Sequence, residues 1–130
     1  MLRWKDEYLT GIDIIDEQHK ELFRIAEQAF ELLKNDFYID KYDRIVNLIE
    51  QLKNYASFHF ETEENYMTQI GYQRLLHQKV QHHDFVEKVN QINLEEVDEN
   101  QDQSLLFIIE FAVDWIDQHI LKEDKRIPAE

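Results

Sequence analysis

Of the six histidines in the 130-residue chain, four fall in register with apolar neighbours at helical spacing. His19 stands three residues before Leu22, four before Phe23 and seven before Ala26. His59 stands three after Ala56, four after Tyr55 and seven after Leu52, and Glu63 follows it by four. His82 precedes Phe85 and Val86 by three and four and follows Leu75 by seven, and His119 follows Ile116 and Trp115 by three and four. Residues at these separations share one face of an α-helix. A neutral imidazole on an apolar face needs a hydrogen bond or a metal, and a buried carboxylate needs a partner still more. One such histidine is ordinarily a satisfied core residue. Four with an acid would leave donors and acceptors unpaired unless an ion sits among them, so the pattern predicts a metal centre. Imidazole suits iron, zinc, copper and nickel, and carboxylates can bridge two ions. The chain has no cysteine, which removes the thiolate zinc solution, iron–sulfur clusters and disulfides. Asp124 lies five residues past His119 and points about 140° away on an ideal helix. It turns inward only if that helix ends there, as the charged run from Lys122 to Arg126 and the nearby Pro128 favour.

These side chains need long elements to carry them. Two glycines and one proline in the whole chain suit a few long helices better than many turns. Apolar periodicity predicts an irregular arm over residues 1–12 and helices over about 17–35, 41–70, 73–92 and 104–121. Asp13 or Asp16 is placed to cap the first helix, and Gly71 to stop the second. From Glu95 to Asp102 every residue but Val97 is polar or acidic, which reads as a solvated loop or a helix start. Four amphipathic helices with short connections predict an all-α fold, an up-down-up-down four-helix bundle forming a single domain over 1–130. The net charge of −14 and the pI near 4.7 argue against nucleic acid and disfavour anionic membranes. The N-terminus carries charges where a signal peptide needs an apolar run, and a spanning helix would need about 18 or more apolar residues, which are missing. A cytoplasmic protein without a membrane partner is expected, as a monomer or weak homo-oligomer. Tyr8, Tyr38, Tyr42 and Tyr66 are read as interface residues or as amphipathic packing.

With those residues in view the chain resembles the hemerythrin family, in particular its single-domain bacterial members. The resemblance covers nearly the whole chain: Trp4 and the arm ending in Gly11-Ile12; the run Ile15-Asp16-Glu17-Gln18-His19-Lys20-Glu21-Leu22; His59-Phe60 with Glu63-Glu64; Gly71-Tyr72; Lys79-Val80-Gln81-His82 leading to Phe85; and Trp115-Ile116-Asp117-Gln118-His119-Ile120 followed by Asp124. The resemblance implies a non-haem di-iron centre in a four-helix bundle, binding dioxygen reversibly for storage, delivery or sensing. It implies that His19 and His59 hold one iron, that the histidines of the third and fourth helices hold the other, and that Glu63 and Asp124 bridge the pair of Fe ions beside an oxo or hydroxo group.

One position departs from the family pattern. The third helix of the family carries two histidines four apart; His82 matches the second, and Gln78 stands where the first belongs, with His77 just before it. Three arrangements are open. Gln78 faces inward and ligates through its amide oxygen or holds a water; a π-bulge turns His77 to the metal; or that ion keeps two histidines and an extra open position. His83 points away from the stripe of His82 and is read as a surface residue. The departure keeps a second function open, a di-iron oxidase, peroxidase or nitric-oxide-handling protein, because a vacancy at each ion supports turnover. A metal-free or zinc-stabilised helical interaction module is the third possibility. A carrier is preferred to an enzyme.

Overall fold

The computed structural model describes residues 4–129; residues 1–3 of the predicted arm and residue 130 lie outside it. Among the described residues there are helices and turns and no strand. Five α-helices follow in order: α1 Asp13–Lys34, α2 Tyr42–Ile70, α3 Leu75–Asn90, α4 Leu94–Glu99 and α5 Gln101–Lys122. Short 3-10 turns at Asp6–Tyr8 and Asp124–Ala129 precede and follow them. The four long helices form the bundle. α1 packs between α2 and α5, and α2 packs against α3. The histidines lie in the first half of α1, the second half of α2, the middle of α3 and the last turn of α5, consistent with an up-down-up-down course.

The helices form because each has one apolar stripe to bury. Leu22, Ala26 and Ala29 of α1, Ile45, Ile49, Leu52 and Ala56 of α2, Phe85 and Val89 of α3, and Leu105, Ile108, Ala112 and Ile116 of α5 join in one core. Gly71 ends α2 in the left-handed conformation at φ 68°, where its N–H reaches back to the last turn. A second, smaller cluster of Met67, Tyr72 and Ile127 lies toward the histidine-bearing end.

Three local features differ from the sequence reading. α1 starts at Asp13, ahead of the predicted residue 17, and its N-cap is Ile12, which makes no side-chain cap bond. Asp16 lies inside the helix and ties down the arm instead: its carboxylate accepts from the Thr10 N–H, the Thr10 hydroxyl and the Gly11 N–H at 2.8, 2.8 and 3.1 Å. The acidic stretch after Ile92 contains α4, capped by the Asn93 side chain accepting from Glu95 and Glu96 and anchored by buried Val97. Six residues with two apolar positions, Leu94 and Val97, are too short a run to show a period. The arm is not irregular throughout: Tyr8 is fully buried against Trp4 and Phe23, and its hydroxyl donates to Asp117 at 2.6 Å. Tyr38 and Tyr42 lie against the main core and Tyr66 against the smaller cluster, so all four tyrosines serve packing within the chain.

Candidate metal centre

Each long helix brings one histidine into a single buried cluster. His19 comes from α1, His59 and Glu63 from successive turns of α2, His82 from α3 and His119 from the last turn of α5. Asp124 joins them because the α-helix gives way after Lys122 to a 3-10 turn. At the junction the Glu123 backbone (φ −114°, ψ −56°) departs from regular helical values, so the offset of an ideal helix no longer sets the direction of Asp124. All six are buried. One ligand-type atom from each of His19, His59, Glu63 and Asp124 lies within 4.8 Å of the others, and the same is true of Glu63, His82, His119 and Asp124. Both carboxylates belong to both sets, so they stand between two places for an ion.

The outer partners fix where each ring carries its proton. His59 Nδ1 is 2.8 Å from Gln18 Oε1, His82 Nδ1 is 2.8 Å from Glu64 Oε2, and His119 Nδ1 is 2.7 Å from Gln81 Oε1. These oxygens only accept, so each Nδ1 donates and a neutral ring presents a bare lone pair at Nε2. The lone pairs point at one another and at the acids. His82 Nε2 and His119 Nε2 are 3.2 Å apart, His59 Nε2 is 2.5 Å from Glu63 Oε1, and His19 Nε2 is 3.0 Å from Asp124 Oδ2. Such a set repels itself unless positive charge stands among its members. Both oxygens of Glu63, both nitrogens of His19, Asp124 Oδ2 and Gln78 Oε1 are buried without a hydrogen-bond partner. Imidazole nitrogens and anionic oxygens converging in this way fit a transition-metal cation, and the residues present therefore suit a metal centre.

In the absence of metal, protons must supply that charge. Burial alone would lower the pKa of His19, but the close approach and negative charge of Asp124 and Glu63 outweigh it and push it up to about 10. Burial likewise opposes protonation of His119, and Asp124 overcomes it, so that pKa is raised. For His59 burial prevails and its pKa falls. Burial raises Asp124, yet His119 and His19 hold its carboxyl well below the usual range. Glu63 is lowered too, against burial and the charge of Asp124, by His59 and His19.

Residues 77 and 78 lie in a regular helix. α3 is α-helical from Leu75 to Asn90 with no π turn, so His77 is not carried to the cluster. Gln78 is the inward residue: it is fully buried, its Nε2 donates to Asp124 Oδ1 at 3.1 Å, and its Oε1 is buried without a hydrogen-bond partner. The His77 side chain is 45% exposed, with Nε2 2.9 Å from Gln81 Nε2 and 3.2 Å from Glu123 Oε1. His83 is exposed. Phe60 stacks on His82 at 4.0 Å between centroids, and Trp115 on His119 at 4.4 Å. Along the α3–α5 side a groove of about 400 Å³ runs past Gln81, Trp115 and His119.

Sequence reasoning passed over Gln18, Glu64 and Gln81, whose partners lie on the next helix. Each adjoins a residue of the cluster. Gln18, beside His19, holds His59 on α2; Glu64, beside Glu63, holds His82 on α3; Gln81, beside His82, holds His119 on α5. Adjacency to an inward residue, on the edge turned toward the neighbouring helix, was the signal available.

Comparison with known proteins accords with this geometry. Residues 10–128 match the hemerythrin HHE cation binding domain. A bacteriohemerythrin of Clostridium acetobutylicum is 48% identical over 125 residues, covering 96% of this chain and 97% of that protein. Another from Pseudomonas paraeruginosa is 37% identical over 69% of this chain and 56% of its own length. A third, from Methylococcus capsulatus, is 27% identical over 92% of this chain and 87% of its own.

Proposed function

The chain belongs to the hemerythrin family, and from that premise we propose that its bundle core holds two iron ions and binds dioxygen reversibly. His19 and His59 hold one ion. His82, His119 and the Gln78 amide oxygen hold the other, and Glu63 and Asp124 serve both. The observation that carries this reading is the pair of four-residue sets sharing two carboxylates, with the lone pairs of His82 and His119 opposed at 3.2 Å.

A bound iron pair supplies the electrons and open coordination positions that dioxygen requires. The chain supplies the rest. Gln18, Glu64 and Gln81 keep three imidazoles with Nε2 inward, as outer partners of ligating histidines do. Glu63 and Asp124 contribute two negative charges where a free carboxylate would otherwise be too costly to bury. Phe60 and Trp115, stacked on the rings, with Leu22, Phe23 and Phe85 around them, keep water from the cluster. Among the described residues no helix is long and apolar enough to cross a membrane; with the acidic balance, this supports a cytoplasmic carrier with no membrane or nucleic-acid partner, acting as a monomer or weak homo-oligomer.

Gln78 favours a second reading, in which the protein turns over peroxide or nitric oxide. An amide oxygen is a weaker donor than imidazole, so its ion is held less firmly and is more open to exchange. Two measurements separate the readings. Protein purified from iron-replete cells should contain about two irons per chain, as two ligand sets require, and its absorption should cycle repeatedly between air and argon. Irreversible bleaching in the first cycle would favour turnover; a chain that takes up no iron would remove both readings.

A further inference from the structure

Farther along the bundle from the cluster, where α1, α2 and α5 meet, the core holds a small cavity with about 20 Å³ open to the centre of a water-sized molecule. Short side chains leave the gap: Ala26 and Ala29 from α1 and Ala112 from α5 stand opposite Ile49 and Leu52 of α2. Its place relative to the histidines is the same on all three helices. Ala26 follows His19 by seven residues, Leu52 precedes His59 by seven, and Ala112 precedes His119 by seven. Seven residues are two turns, about 10 Å of helix axis. Between the two levels stand Leu22, Ala56 and Ile116, one layer of the same core.

The lining decides what can occupy it. Every side chain that faces the cavity is hydrocarbon, and the backbone groups of these helix interiors are bonded within their own helices. A water needs about 10–15 Å³ of such space and roughly two to four polar partners. The room suffices for one small molecule, but the partners are missing, and a cavity of this kind stays dry and accepts apolar guests. Dioxygen has no dipole, asks for no hydrogen bond, and would restore dispersion contacts that the lining atoms lack. We propose that this cavity is a docking site for dioxygen, separate from the ligand atoms of the metal centre. The choice of dioxygen among small apolar gases rests on the dioxygen-binding reading. A molecule that leaves the cluster then has a second resting place inside the bundle, two turns away, from which return competes with escape.

Zinc(II) is diamagnetic and has no redox chemistry, so in the full chain loaded with zinc, dissolved dioxygen acts on nearby nuclei only through its own paramagnetism. The experiment is methyl NMR of that protein, with labelled alanine and isoleucine, under nitrogen and then under pressurised dioxygen. The methyls of Ala26, Ala29, Ala112 and Ile49 should relax several times faster under dioxygen than those of Ile15 and Ile127, which are equally deep in the fold but do not line the cavity. Ala29→Val and Ala112→Val fill the space from two different helices, and each should abolish the excess at the remaining lining methyls. Unchanged Ile15 and Ile127 resonances in the same spectra show that a variant is folded, and the parent comparison stands without either variant. Equal enhancement at all buried methyls would overturn the inference, as would an excess that survives both substitutions. If the zinc-loaded methyls respond as expected but the iron-loaded chain does not cycle between air and argon, the dioxygen-binding reading falls and the cavity keeps its gas. If the iron-loaded chain cycles and the lining methyls show no excess, this inference alone falls.

Discussion

Stripped of metal, the protein should lose stability as the solution becomes more alkaline, and metal should abolish that loss. His19 has its folded pKa raised from 6.5 to about 10. A group raised on folding contributes its full stabilisation below the unfolded value, and the contribution disappears as pH climbs through the folded value. The window is therefore pH 6.5 to 10. The ceiling is the size of the shift, about 5 kcal/mol at about 1.4 kcal/mol per unit. His119 is also raised and acts with the same sign. His59, lowered by burial, has the opposite sign and is lost toward acid pH, as are the depressed carboxyls Glu63 and Asp124 below about pH 4. None of those three opposes the decline within the window.

A bound cation replaces the protons, so loading must expel them and tighten as pH rises. The assay is thermal unfolding by circular dichroism, at half-unit steps from pH 6 to 10, of chelator-treated and zinc-loaded protein. At about 4 °C per kcal/mol for a domain of this size, the treated protein should lose on the order of 10–15 °C across the window, and the loaded protein much less. A flat or rising profile for the treated protein would refute the assignment of protonated imidazoles among the acids. Parallel decline of both samples would refute the idea that metal and proton compete for the same atoms.

Asp16→Ala removes three hydrogen bonds to a buried carboxylate and should cost roughly 2–4 kcal/mol in urea unfolding at pH 7, with metal content preserved; a loss below the level of one neutral hydrogen bond would contradict the role of the arm tie. Gln78→Leu keeps the volume but removes the inward oxygen, so one of the two zinc ions should weaken while the other is retained, as read by chelator competition; two ions bound at parental strength would remove Gln78 from the ligand set. Gly71→Ala forces a left-handed backbone at φ 68° with no neighbour within 4 Å of the added Cβ, so the cost should be the backbone term alone, about 1 kcal/mol, and an unchanged unfolding midpoint would show that the α2 terminus relaxes freely.

The inward histidines were legible because apolar residues three and four positions away define a buried face without reference to any other helix. Glu63 was legible for the same reason. Asp124 required a helix end, which the charged run and Pro128 signalled, although its inward direction depended on the backbone break at Glu123, which no spacing displays. At 77 and 78 periodicity pointed to Gln78, but only the regular hydrogen bonding of α3 excludes a bulge. The tie made by Asp16 was hidden because an acid near a helix start looks like a cap whether it bonds forward or backward. α4 was hidden by length. Gln18, Glu64 and Gln81 were hidden because their partners lie on the next helix, at a contact set by how the bundle packs.

The outer partners form a directional series: α1 supports α2, α2 supports α3, and α3 supports α5. It does not close. No residue of α5 reaches His19; Gln118, beside His119, bonds Asp117 instead, and His19 Nδ1 is left without a partner. His19 is thus the inward imidazole whose orientation no outer oxygen sets, and the two carboxylates draw its Nε2 most strongly toward a proton. Three rings are prearranged for a cation before one arrives, while the fourth is held chiefly by the charge at the centre. The His19 side of the cluster should therefore gain the most order on loading, and the prearranged rings the least. The bundle thereby uses the ion as part of its packing: it fixes the donors it can by hydrogen bonds between helices, and leaves the last to be fixed by the metal itself.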